Sequence, residues 1–212
     1  VPTVMALPKE ISEPVPCIIF LHGIGQKKEF LDRIAEPFVS EGFAMVCFDQ
    51  YMQGERQLPG GSGPIAQAVA FRKRPWKTVN DTRRLIDYLE TYPDIDADRL
   101  YLVGASYGAI TGSTVAAFDE RIKATVLVYG GGDMSKLLDA SAIRDELKGW
   151  QHTVLKPLVA FYLDPADPLH YVDQIAPRPV LFQNGRHDVL IATSAAKALQ
   201  EAAGEPKDIT WY

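Results

Sequence analysis

The sequence predicts a doubly wound, mainly parallel α/β sheet. Three observations carry that expectation. Short apolar runs that read as strands alternate with segments of helical periodicity. Several of those runs are apolar at nearly every position, as strands covered on both faces are. One run, Leu100 to Val103, breaks into small, helix-tolerant residues through Gly104-Ala105-Ser106-Tyr107-Gly108.

Taken in order, "PCIIFL" (16–21) is a buried strand ending at His22-Gly23. Between Lys28 and Glu41, apolar Phe30, Leu31, Ile34, Ala35, Phe38 and Val39 fall at helical spacing, and Gly42 marks the stop, so the segment predicts one amphipathic helix. "FAMVCFD" (43–49) is the next strand. Residues 51–75 lack periodicity and are rich in Gly and Pro, which predicts a long loop with a short helix over 66–71. Trp76 to Tyr92 predicts a helix with Val79, Leu85, Ile86 and Leu89 on one face. A strand runs to the glycine-serine turn, a helix spans 109–118, and "KATVLVYG" (123–130) is a further strand. Residues 133–173 are loosely patterned and predict a helical insertion over the strand ends. Strand 178–185, helix 193–203 and a last strand beginning at "DITWY" complete the chain as one domain over 1–212.

Bulk composition narrows the function. The 212 residues are 47% hydrophobic and 23% charged, ordinary for a domain with its own core. A net charge of −5 argues against nucleic acid as partner, since a polyanion needs a concentrated basic face. The one basic cluster, Arg72-Lys73-Arg74, reads as a solvated loop beside Pro75. No apolar run approaches the ~20 residues of a membrane span. Cys17 and Cys47 sit inside strand-like runs and predict buried free thiols, which suits a reducing compartment or indifference to redox; the expected location is cytoplasmic. No C-x-x-C or H-E-x-x-H spacing occurs, so neither a metal nor another cofactor is expected.

The chemistry points to Ser106. A sharp strand-to-helix turn strains its central residue and crowds its neighbours, and glycine at 104 and 108 relieves that crowding. The hydroxyl is thereby raised at the carboxyl end of the sheet, at a helix N-terminus whose dipole favours developing negative charge.

At "FLHGIGQ" (20–26), "GASYGA" (104–109) and "PRPVLFQNGRHD" (177–188) the chain resembles the α/β-hydrolase superfamily, namely its esterase, dienelactone-hydrolase-like and prolyl-oligopeptidase-like serine hydrolases. The three segments, in order, span nearly the whole chain. The resemblance implies Ser106 as nucleophile of an acyl-enzyme and backbone N–H donors from Tyr107 and Ile24, with Gly25 as second choice, facing the oxyanion. It implies a substrate-facing loop of His22, Gly23 and Gly25, and Asp188 as the acid that orients a histidine. Asp164, Asp167 and Asp173 are rival acids.

No histidine follows Asp188. His22 reads as a loop-organising residue, His187 is adjacent to the acid, and His152 and His170 fall in the insertion. In the superfamily the base follows the last core strand, so it is expected just past Tyr212, with the chain truncated at both ends. Serine where dienelactone hydrolases usually present cysteine favours a carboxylesterase acting on a small-molecule ester. Tyr51, Tyr107, Trp150, Phe161 and Tyr162 are candidate pocket aromatics. Two alternatives stand beside this reading: a non-catalytic binding protein on a degenerate fold, and a peptidase of the prolyl-oligopeptidase type.

Overall fold

A computed structural model describes residues 1–141 and 149–212. Among these, seven strands form one sheet: β1 (Thr3–Ala6), β2 (Val15–Leu21), β3 (Ala44–Phe48), β4 (Ile95–Ala105), β5 (Ile122–Val128), β6 (Val180–Asn184) and β7 (Lys207–Trp211). Their spatial order is β1-β3-β2-β4-β5-β6-β7, and every pairing is parallel except β1 with β3. The doubly wound expectation holds. The antiparallel edge strand β1 went unread, because four residues carry too little pattern to separate strand from loop.

Alternation along β2 shows why its sequence is apolar throughout. Cys17, Ile19 and Leu21 enter one core with Leu100, Leu102 and Leu127, whereas Ile18 and Phe20 enter a second core with Leu31, Met45 and Cys47. Helices cover the first face: α2 (Pro64–Leu89), α3 (Tyr107–Phe118) and α6 (Thr193–Ala202). The segment 28–40 covers the second. Both cysteines are buried and free, and burial pushes their thiols up to about 12.

Three expectations need correction. Residues 28–41 do not form one helix: a 3₁₀ segment, Lys28–Arg33, gives way to a separate α1 (Glu36–Ser40). Pro37 accounts for the restart, since it lacks the N–H an ongoing helix needs and is at home in a first turn.

The loop over 51–75 ends at Gly63, and α2 then runs unbroken through Pro75 to Leu89. Tertiary packing overrides the proline here: the Trp76 and Phe118 rings pack at a tilt with centroids 5.2 Å apart, while Pro75, Thr78 and Val79 are buried. The basic cluster is therefore helical, and Arg74 is not solvated. It is 4% exposed, with its guanidinium 4.1 Å above the Tyr107 ring, and burial holds its pKa below the usual value.

Over the expected insertion, 133–173, the described residues form α4 (Met134–Leu137) and α5 (Gly149–Leu163), with 3₁₀ turns following as far as Ile175. Residues 142–148 of the expected insertion lie outside the described residues. Asp167 is buried and accepts hydrogen bonds from the N–H groups of Asp133 and Met134, fixing the start of α4.

Candidate active site

Strand β4 delivers Ser106 to the sheet's carboxyl edge, and α3 starts at the next residue. Ser106 has φ 54° and ψ −117°, a backbone state that a residue with a Cβ rarely adopts. Its N–H is held by the Val128 carbonyl at 2.8 Å. The flanking glycines are sterically required. A Cβ on Gly108 would fall onto the Leu21 carbonyl, and one on Gly104 onto the Gly108 carbonyl. The hydroxyl is half-buried and makes no hydrogen bond among the described residues.

The loop after β2 lies against this elbow: a Cβ on Gly23 would come within 3.4 Å of Ser106 Cβ. Side chains occupy two of its three successive amides, one from within the loop and one from beyond β3. Gly23 N–H donates to Gln26 Oε1 at 2.8 Å, and Gly25 N–H donates to Gln53 Oε1 at 2.7 Å. Between them, the N–H of Ile24 carries no hydrogen bond among the described residues, nor does that of Tyr107 at the head of α3. The amide of Gly25, the second-choice donor, is thus already engaged.

His22 is fully buried beneath this loop and lines no cavity at Ser106. Its Nδ1 lies 3.0 Å from the Gly23 carbonyl and 3.4 Å from Gln53 Nε2, and its Nε2 is buried without a partner among the described residues. Burial holds its pKa below the ordinary value against the opposing pull of the Gly23 hydrogen bond and Asp49, so the ring is neutral. Gln50 Nε2 donates to its carbonyl at 2.7 Å.

Gln50 and Gln53, at the carboxyl end of β3, went unread as site residues, as did Asp49. Asp49 is fully buried: Oδ1 accepts Lys28 N–H at 2.9 Å and Oδ2 accepts Glu55 N–H at 2.9 Å. Its carboxylate is desolvated, yet these amides and the Lys28 ammonium outweigh that and hold its pKa low. The signal available was position alone, a polar Asp49-Gln50 directly after an apolar strand.

Asp188 follows β6. Its Oδ1 accepts the N–H groups of Leu190 at 2.8 Å and Ile191 at 3.1 Å, while Oδ2 takes no hydrogen bond among the described residues. Ser106 and Asp188 line one cavity of about 510 Å³, together with Tyr129, His187, Leu190 and Tyr212. The other histidines are placed elsewhere. His152 Nε2 meets the Leu138 carbonyl at 3.1 Å, and His170 Nε2 lies 3.3 Å from Asp164.

A second cavity, about 380 Å³, also opens at Ser106 and is walled by Ile24, Phe71, Pro75, Tyr107, Ile110, Met134, Leu138 and Leu163 among others. Of the expected aromatics only Tyr107 lines it. Trp150 and Phe161 point to solvent at 69% and 83% exposure, and Tyr51 and Tyr162 line neither cavity. Phe71 takes that place because α2 begins earlier than its glycines and prolines suggested. Among the described residues no cluster of three His, Cys, Asp or Glu is placed to hold a metal ion, and no helix is long and apolar enough to cross a membrane.

The model of the dienelactone hydrolase family matches residues 1–212. The chain belongs to that family. This dienelactone hydrolase family member is an enzyme of the hydrolase class within the α/β-hydrolase superfamily. It is 23% identical over 214 residues to YtaP of Bacillus subtilis strain 168, a hydrolase by name, covering 94% of this chain and 69% of that one. It is 22% identical to Esterase YjfP of Escherichia coli K12 over 201 residues, 91% of this chain and 76% of that one. Its fold matches the acetyl xylan esterase from Paenibacillus sp. R4 with a TM-score of 0.77 at 19% identity, covering 99% of this chain and 72% of the other.

Proposed function

We propose that this hydrolase cleaves carboxylic esters through an acyl-enzyme on Ser106. The observation that carries the reading is the elbow itself: a non-glycine residue at φ 54° with its hydroxyl free, beside the two unengaged amides of Ile24 and Tyr107. Ser106 Oγ attacks the ester carbonyl carbon while its proton passes to an imidazole. The carbonyl oxygen becomes an oxyanion between the Ile24 and Tyr107 N–H groups, each such donor being worth about 3 kcal/mol. The intermediate collapses, the C–O bond to the alcohol breaks, and the imidazolium returns the proton to the leaving oxygen. Water then repeats the sequence on the acyl-enzyme and releases the carboxylic acid.

Asp188 orients the imidazole and stabilises its charged form without taking the proton. The base enters the 510 Å³ cavity beside Tyr212, which borders Ser106 and Asp188 together, so a histidine following β7 would stand between them. His187 is the alternative base, because it lines that same cavity. Esterase YjfP among the relatives and the acetyl xylan esterase among the folds agree with ester cleavage.

A fluorophosphonate probe applied to the intact natural polypeptide tests the reading. An adduct on Ser106, lost in Ser106→Ala and slowed at least about 100-fold in Asp188→Asn, is the expected result. Absence of any adduct would favour a binding protein on this fold. Loss of the adduct in His187→Ala would transfer the base to His187.

A further inference from the structure

The two cavities that meet at Ser106 differ in kind. Phe71 and Pro75 of α2, Ile110 of α3, Met134 and Leu138 of the insertion and Leu163 of α5 wall the 380 Å³ cavity. Among the described residues its only polar side chains are those of Ser106 and Tyr107. The 510 Å³ cavity shares Leu190 with it and is also lined by Tyr129, Val189 and Tyr212, but it adds exposed Arg186 and His187 and the Asp188 carboxylate, charged or titratable groups that the first cavity lacks.

We propose that the substrate is an ester of an apolar carboxylic acid, of medium chain length or bearing an aryl ring, whose acyl group fills the 380 Å³ cavity while the alcohol departs through the other. This rests on the serine-esterase reading above. The orientation follows from proton transfer. The alcohol oxygen must receive a proton from the imidazolium, and the imidazole must touch Asp188, which borders only the 510 Å³ cavity. The leaving group therefore lies over Asp188, and the acyl group takes the opposite side.

Size and polarity fix the class. A cavity of about 150 Å³ lined by apolar side chains already holds a benzene ring, so 380 Å³ far exceeds what an acetyl group needs. A sugar or a charged acyl group would surrender its water there and find no replacement partners. The wall is fastened, not loose. His152 Nε2–H donates to the Leu138 carbonyl at 3.1 Å, and Lys156 Nζ donates to both Asp139 carboxylate oxygens at 2.7 Å, tying α5 to the end of α4.

The test measures kcat/KM of the intact natural polypeptide on p-nitrophenyl esters from acetate to dodecanoate, and on acetate esters of lengthening alcohols. In the acyl series the expected gain is up to about fourfold per methylene, peaking at medium chains such as octanoate and falling at dodecanoate. The alcohol series stays flat within about threefold, which is less than one buried methylene contributes. Leu138→Trp, which fills the cavity, lowers the octanoate-to-acetate ratio by about tenfold or more.

Best turnover on acetate, a gain that follows the alcohol, or an unchanged ratio in Leu138→Trp would each overturn the inference while a fluorophosphonate adduct on Ser106 left the esterase reading intact. Absence of both adduct and turnover would overturn that reading and this inference with it.

Discussion

At φ 54° and ψ −117°, Ser106 holds a backbone state that costs about 1–3 kcal/mol and that only its surroundings enforce. The Val128 carbonyl grips its N–H, and Leu21 and His22 press on Gly108 from the far side. Glycine tolerates this state, so Ser106→Gly is expected to be about 1 kcal/mol more stable than Ser106→Ala, read by denaturant unfolding of the two variants. Equal stabilities would mean that the elbow stores no strain. The elbow was legible in the sequence because its constraint is local: two glycines and a serine between a strand and a helix describe one sharp turn. Arg74 was not, because its burial on the Tyr107 ring depends on a helix passing through a proline.

At the scale of elements, the loop after β2 owes its shape to residues that arrive from the end of β3. Gln53 occupies the Gly25 amide and leaves that of Ile24 free, while Gln50 holds the His22 carbonyl. Gln53→Ala should let the loop drift and cut kcat by about tenfold or more with little change in KM, short of the 10²–10³-fold loss from removing an oxyanion donor outright. A change confined to KM would assign Gln53 to substrate binding instead. None of this could be read along the chain, since Gly25 and Gln53 are 28 residues apart and meet only because β2 and β3 are neighbours. Conversely, helix α2 beyond Trp76 and all the buried strands were legible, because each satisfies its own periodicity without help from distant contacts.

Across the whole molecule, one sheet carries a core on each face, and His22 is sealed beneath the loop that lies against Ser106. Its folded pKa is held down by burial, so below about pH 6.5 the unfolded chain takes up a proton that the folded chain refuses. Stability at this group is therefore full above pH 6.5 and declines as pH falls towards the folded pKa, by up to about 1.4 kcal/mol per pH unit. His22→Gln should flatten that slope in unfolding experiments, and an unaltered slope would place the titration elsewhere. The alternation of strands and helices announced this architecture, but the meeting of two cavities at one hydroxyl, only one of them bordered by Asp188, is a property of the assembled sheet and the helices over its strand ends. The most direct measurement is the intact mass of the natural polypeptide quenched during turnover of a p-nitrophenyl ester, followed by peptide mapping. A mass increase equal to one acyl group, carried by the peptide containing Ser106 and absent from Ser106→Ala, is the expected result; an acyl group on any other residue, or steady hydrolysis by Ser106→Ala, would contradict a Ser106 acyl-enzyme.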